Sequence, residues 1–184
     1  MRCDKCKLHT IARNVCLESK GDFNSKIMIV GNRPTLEDDK LGTVFSLGTG
    51  NFVDNLLKSA GIDTTSCYYT YAIKCFSGLA KKAITVPEAH PVCTEAWLTR
   101  ELDKLKPSLI ITFGMEAYRS VTDMKSRTKA KDVIHTYTRG DHTYYVLALP
   151  AIYSLQQLSA YSLHNIATSI RKASSVVNLS LIHI

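Results

Sequence analysis

Two short apolar runs, "IMIVG" at 27–31 and "LIITFG" at 109–114, each stop at a glycine. Continuous runs of this length, rather than alternating ones, are what a strand buried on both faces of a parallel sheet requires. Parallel neighbours need long crossovers, and the segments between such runs carry helical periodicity. "NFVDNLLKSAGI" (51–62) puts Phe52, Leu56 and Leu57 on one helical face, with Gly61 just past the end. "VPEAHPVCTEAWLTRELDKLKP" (86–107) opens on a proline and an acid and closes before Pro107. "CYYTYAIKC" (67–75) and "TYYVLALPAI" (143–152) supply two further strands. "MEAYRSVTDM" and "SLQQLSAYSLHNIATSIRKAS" (154–174) supply two further helices. The alternation predicts an α/β fold: three layers, α/β/α, around a central, mainly parallel four-stranded sheet. "TLEDDKLGTVFSLGTG" (35–50), with three acids and three glycines, reads as a loop.

A chain of 184 residues that is 45% hydrophobic suits one compact domain, taken as residues 1–178. The terminal "LSLIHI" (179–184) is expected to be a non-native or disordered tail of the kind a vector adapter leaves. No apolar run approaches the roughly 20 residues of a membrane span. The opening "MRCDKCKLH" lacks the apolar core of a secretory signal. The expected location is therefore cytoplasmic, where the six cysteines start out reduced. The formal charge of +7 fits either a polyanion partner such as nucleic acid or a merely basic surface.

In sheets of this kind ligands bind beyond the carboxyl ends of the strands. Three such ends, at 31–35, 71–75 and 149–151, gather there and predict a composite pocket. Cysteines add a second signal. Cys3 and Cys6 form a C-x2-C pair, Cys75 ends a strand, and Cys93 follows 18 positions later. Four thiolates from such a set accept either a structural zinc or an iron–sulfur cluster. Cys16 has no partner at metal spacing, and Cys67 reads as a small core residue.

Together the cysteines and the loop sequences resemble the family-four, iron–sulfur branch of the uracil-DNA glycosylase superfamily, a branch that includes phage proteins related to a phage DNA polymerase. Its C-x2-C-x-L element is matched by "CDKCKL", its G-E-A-P-G-x-x-E-D loop by "GNRPTLEDD", and its G-x-P-F-x-G-x-A-G element by "GTVFSLGTG". T-N-V-V-K-C is matched by "TYAIKC" (70–75) and T-P-E-E-x-x-x-C by "VPEAHPVC" (86–93). L-G-x-x-A is matched by "FGMEA", and H-P-A by "LPA" (149–151). The resemblance implies a [4Fe–4S] cluster, rather than zinc, on Cys3, Cys6, Cys75 and Cys93, with a structural role. It implies DNA as partner, with a base flipped out of the stack or supplied by a single strand.

The resemblance also assigns site residues, and here the chain departs from the pattern. Phe45 matches the phenylalanine that stacks on a flipped base, or else it is core. Asn32 stands where the family has its catalytic glutamate; an amide cannot accept a proton at neutral pH. Tyr71 replaces the asparagine that reads uracil, so it blocks or misreads that base, or simply fills the pocket. Leu149 replaces the histidine that donates to the charged carbonyl oxygen, a loss worth about 10²–10³ in rate. Three such losses leave ordinary uracil excision near background. Gly31, Arg33 and Pro34 are expected at the pocket floor, where Gly31 and Pro34 suit close approach of a base. Arg33 meets a phosphate or an anionic base, or is solvated. Glu37 and Asp38 either activate a water or cap a helix, the second being favoured. Lys81, Lys82, Pro150 and Ala151 are expected on the DNA-facing side. One branch of the superfamily bonds covalently to DNA through a histidine in a basic loop; here only His90 lies near that loop. Three functions follow. The first is a DNA-binding member with weak or altered base excision. The second is a non-catalytic phage replication or polymerase accessory working with replication proteins. The third is a zinc-stabilised α/β protein unrelated to DNA.

Overall fold

The computed structural model describes residues 3–78, 85–122 and 134–182, excepting the side chains of 85–88 and 178–182. In chain order the strands are β1 (Lys20–Gly21), β2 (Ile27–Gly31), β3 (Cys67–Tyr71), β4 (Leu109–Phe113), β5 (Ile134–Arg139) and β6 (His142–Leu149). The helices are α1 (Leu36–Leu41), α2 (Leu47–Ser59), α3 (Thr85–Cys93), α4 (Thr99–Leu105), α5 (Met115–Thr122), α6 (Ile152–Leu155) and α7 (Ala160–Ile182). A π-helical turn, Thr94–Leu98, joins α3 to α4. The sheet order is β1-β3-β2-β4-β6-β5.

The four strands expected from the apolar runs are the parallel centre, β3-β2-β4-β6. Two antiparallel edges enlarge the sheet to six strands. Neither edge carries an apolar run. Both residues of β1 are exposed, and β5 reads "IHTYTR" with no residue fully buried. Side-chain alternation divides the core. Ile29, Tyr69, Tyr71, Ile111, Phe113, Leu147 and Leu149 pack toward α2 and α7. Met28, Val30, Tyr68, Ile110, Val146 and Ala148 pack toward α4 and α5. A satellite cluster of Leu8, Ile73, Cys75, Ala89 and Cys93 sits beside them. Fully buried Leu8, from the C-x2-C-x-L element, pins the N-terminal segment onto that satellite.

Two stretches differ from expectation. Residues 35–50 are not all loop: Thr35 and Asp38 form a reciprocal capping box that starts α1, and α2 begins at Leu47. The expected final helix at 154–174 is split, with the short α6 ahead of α7. The latter runs to Ile182, so the backbone of 179–182 is helical.

Candidate functional site

The ends of β2, β3 and β6 do converge. Asn32, Arg33, Tyr71 and Ala151 line one cavity of about 260 Å3. Thr35, Thr49, Tyr153 and Gln156 line it too. Thr35 falls within the strand end expected at 31–35; sequence reasoning missed Thr49, Tyr153 and Gln156, because they come from α2 and from α6 and its C-terminal end, whose positions depend on the fold.

Beneath this cavity lies an aromatic stack. The rings of Phe45 and Tyr71 are 4.5 Å apart and only 5° from parallel. Both are almost completely buried. The Tyr71 hydroxyl donates to Asp38 Oδ2 at 2.9 Å, while the backbone N–H of Phe45 faces the same phenol oxygen. Burial raises the Tyr71 pKa well above the usual phenol range, and the Asp38 charge adds to the rise. The phenol is therefore a neutral donor. Such a stack contributes about 0.5–1.5 kcal/mol beyond its area. A hydrogen bond to a charged group contributes about 1.5–3 kcal/mol more.

Asp38 is the hub of this floor. Its Oδ1 accepts the Ser46 N–H at 2.7 Å, and its Oδ2 accepts the Thr35 N–H at 2.8 Å and the Tyr71 hydroxyl. It is fully buried and caps α1, the blander of its two readings; Glu37 stays exposed. Phe45 itself is held by Lys20, whose Nζ donates to the Phe45 carbonyl at 2.8 Å. Phe45 has φ +48°, an uncommon conformation for a bulky residue. Gly31 closes the arrangement: a Cβ there would stand 2.5 Å from Tyr71 Cε1 and 3.0 Å from Phe45 Cζ. The close approach expected of a base at Gly31 is that of Tyr71's own ring. Pro34 is buried and is not part of the cavity lining given by Asn32, Arg33 and their neighbours.

Asn32 and Leu149 have other tasks. Asn32 Oδ1 accepts the Ala117 N–H at 3.0 Å, capping α5 from outside the helix. Its carboxamide lies over Gly114, where φ is +101° and a Cβ would come within 2.3 Å of Asn32 Nδ2. Leu149 is fully buried in the core on the Tyr71 side of the sheet and lies outside the cavity lining. Arg33 is partly exposed, 3.9 Å from Glu116, a pair of little energetic weight at that exposure. Pro150 and Ala151 are half-buried. Lys81 and Lys82 lie outside the described residues. His90 Nε2 is 2.9 Å from the Glu116 carbonyl oxygen and 2.6 Å from Ser120 Oγ.

The thiols form a second locus. Cys6 packs against the satellite cluster that contains Cys75 and Cys93. Burial pushes the Cys75 thiol up to about 11 and the Cys93 thiol up to about 12, and both feel the charges of Cys3 and Cys6. Backbone N–H groups oppose the rise: Cys16 donates to Cys75 Sγ at 3.2 Å, and Lys74 donates to Cys93. Cys16, unassigned from spacing, thus serves the group through its backbone, at φ +56°. Cys67 is fully buried in the main core. The donor set, soft thiols in an apolar shell with N–H groups aimed at sulfur, suits an iron–sulfur centre. Among the described residues no group of three or more His, Cys, Asp or Glu is placed to hold a metal ion.

The fold is thus a doubly wound α/β domain with a cavity of about 260 Å3 at its strand ends, beside a set of cysteines. The Uracil DNA glycosylase superfamily model matches residues 18–169, and the chain belongs to that superfamily. It is similar to a type-4 uracil-DNA glycosylase of Thermotoga maritima, 27% identical over 124 residues, covering 67% of this chain and 62% of the relative. The type-4 enzyme of Archaeoglobus fulgidus is likewise 27% identical, covering 67% and 60%. A type-5 uracil-DNA glycosylase of Pyrobaculum aerophilum is 26% identical over 125 residues, covering 60% and 54%. The chain spans about six-tenths of the length of the type-4 relatives. Among the described residues no helix is long and apolar enough to cross a membrane.

Proposed function

We propose that this is a DNA-binding superfamily member in which ordinary uracil excision is weak or lost because the chain fills its own base pocket. One observation carries the reading: the Tyr71 ring lies stacked on Phe45 and is anchored to Asp38. Phe45 was expected to stack on a flipped base; it stacks instead on the side chain that replaces the base-reading asparagine. A uracil entering this space must displace the ring, at a cost of roughly 2–4 kcal/mol for the stack and hydrogen bond together. That alone weakens binding by more than tenfold.

The remaining groups do not supply the chemistry. Bond cleavage leaves charge on the departing base and on the sugar, and it needs a positioned water. Asn32 is neutral, and its oxygen is engaged at α5. Leu149 offers no donor to a developing oxyanion. DNA as the partner rests on the names of the relatives, with the +7 charge in support. Lys81, Lys82, Pro150 and Ala151 are the proposed backbone contacts, and Arg33 at the cavity mouth is suited to a phosphate. Cys3, Cys6, Cys75 and Cys93 would hold a [4Fe–4S] cluster, which would tie the N-terminal segment to the elements after β3. Its role would be structural.

The test is a base-release panel on purified protein with uracil, hypoxanthine, xanthine and modified-thymine oligonucleotides. The expected result is little or no uracil release with retained, salt-dependent DNA binding. Brisk uracil release overturns the reading. The plugged pocket equally favours a non-catalytic replication accessory. Release of no base at all, together with DNA binding, selects that alternative, and release of a base other than uracil excludes it. Absence of DNA binding overturns the first reading; absence of DNA binding together with a pull-down that finds no protein partner overturns the accessory reading.

A further inference from the structure

Two adjacent carboxylates on α1, Asp38 and Asp39, are both buried, and they hold different parts of the chain. Asp38 serves the pocket floor, through the Ser46 N–H, the Thr35 N–H and the Tyr71 hydroxyl. Asp39 serves the N-terminal segment. Its Oδ2 accepts the Arg13 N–H at 3.0 Å, and its Oδ1 accepts the Asn14 N–H at 2.9 Å. The Asn14 carboxamide donates in return to the Asp39 carbonyl. It also lies against the left-handed end of α1: a Cβ at Gly42, where φ is +70°, would stand 3.4 Å from Asn14 Oδ1. A buried carboxylate that loses its N–H partners keeps its desolvation cost, so Asp39 depends on the segment staying in place.

The same segment reaches the cysteines. Leu8 is buried with Cys75, Ala89 and Cys93, and Ala12 and Val15 pack against that cluster. The Cys16 N–H donates to Cys75 Sγ at 3.2 Å, and the Leu17 N–H donates to the Lys74 carbonyl at 2.9 Å. Residues 12–17 therefore form one strap between the thiols and α1. Cys3 and Cys6 stand just ahead of it. A metal centre on Cys3, Cys6, Cys75 and Cys93 would fix the start of the segment to the end of β3. Without the centre, that start is held by Leu8 and a few apolar neighbours.

We infer that α1 is a clamp between the two loci: occupancy of the cysteine set by its metal centre sets how firmly Tyr71 is seated in the base pocket. The inference rests on the proposed filling of that pocket by Tyr71, and adds a way of undoing it. With the centre in place, the strap is anchored at both ends and satisfies Asp39. When the centre is lost the strap loosens, Asp39 is left buried without its partners, and α1 opens to solvate it. Asp38, the neighbouring residue, moves with α1 and gives up the Tyr71 hydroxyl and the Ser46 N–H. A helix of six residues can open locally while the six-stranded sheet stays intact.

Hydrogen exchange read by mass spectrometry on the full chain tests this without DNA or a base. The chain is compared when loaded with iron and sulfide, or with zinc, and after a chelator has removed the metal under reducing conditions. Removal should speed exchange about tenfold or more in 11–17 and in 36–47, the latter containing the Ser46 N–H, and leave the β5–β6 hairpin within about twofold. Asp39→Ala takes away the buried charge that links the strap to α1. Metal removal should then still loosen 11–17 but change 36–47 by less than about twofold. Asp39→Asn keeps the volume and one acceptor oxygen, and should shrink the response of 36–47 several-fold should the alanine variant not fold. Base release tests the filling of the pocket and exchange tests the coupling, so failure of one is told apart from failure of the other. Unchanged exchange in 36–47, equal acceleration in the hairpin, an undiminished response in the folded variant, or a chain that holds neither iron nor zinc overturns the inference.

Discussion

Tyr71 and Cys75 lie four residues apart at the end of one strand, and their surroundings are completed in opposite ways. At Tyr71 the chain supplies every partner: a ring above, a carboxylate and a backbone N–H at the hydroxyl, and a glycine that makes room. At Cys75 and Cys93 burial raises the thiols, the charges of Cys3 and Cys6 add to the rise, and the backbone N–H groups of Cys16 and Lys74 oppose it. The polar groups of the first region are satisfied within the chain. The second has ligand-type atoms that the chain itself does not satisfy. Under the proposed function, one side chain of the right length fills a pocket, whereas a thiol site would draw four cysteines from three separated segments.

The comparison breaks most sharply at sulfur. Cys75→Ser should abolish broad absorption near about 400 nm and lower the melting temperature by roughly 10 °C, as loss of a structural centre does. A colourless wild-type protein with stoichiometric zinc would replace the cluster by zinc and leave the pocket argument standing. Tyr71→Ala comes next. It empties a buried ring site and strips a donor from Asp38, so denaturant unfolding should show a loss of about 3–5 kcal/mol. Fluorescent or radiolabelled uracil oligonucleotides should also bind Tyr71→Asn more tightly than wild type; unchanged binding would show that the ring is not the barrier.

Gly31→Ala sharpens the packing side of the comparison. Its Cβ would press on Tyr71, costing about 1–3 kcal/mol. In a Tyr71→Ala background most of that cost should vanish, a non-additivity that a double-mutant cycle measures. Tyr71→Phe keeps the stack and removes one donor, for a loss of about 1–3 kcal/mol, read by chemical denaturation. Asn32→Ala should be the mildest. Removing the cap on α5 should cost about 1 kcal/mol by the same measurement.

Much of the centre of this fold is legible in the chain. Runs such as "IMIVG" and "LIITFG" are apolar throughout because both faces of a parallel strand are covered, and they became β2 and β4. Edges were hidden for the converse reason: β1 is exposed, β5 is partly solvated, and neither carries a continuous apolar signal. Helix α1 was hidden among acids and glycines, although Thr35 and Asp38 stand at capping-box spacing. In the pocket, the motif matches named Asn32, Arg33, Tyr71 and Ala151, which do share a cavity. They could not say that Asn32 would turn to α5, or that Leu149 would lie in the core behind the cavity.

By itself the order of residues determined which segments are buried strands, which are helices, and which side chains differ from the superfamily pattern. Those properties follow from local periodicity and from identity at each position, and neither needs a neighbour in space. Only the tertiary structure decided what the differences do. Whether a tyrosine blocks, reads or merely pads depends on Phe45, Asp38 and Gly31 arriving around it from other loops. Contacts between segments tens of residues apart are set by how layers pack, which no short stretch of chain encodes.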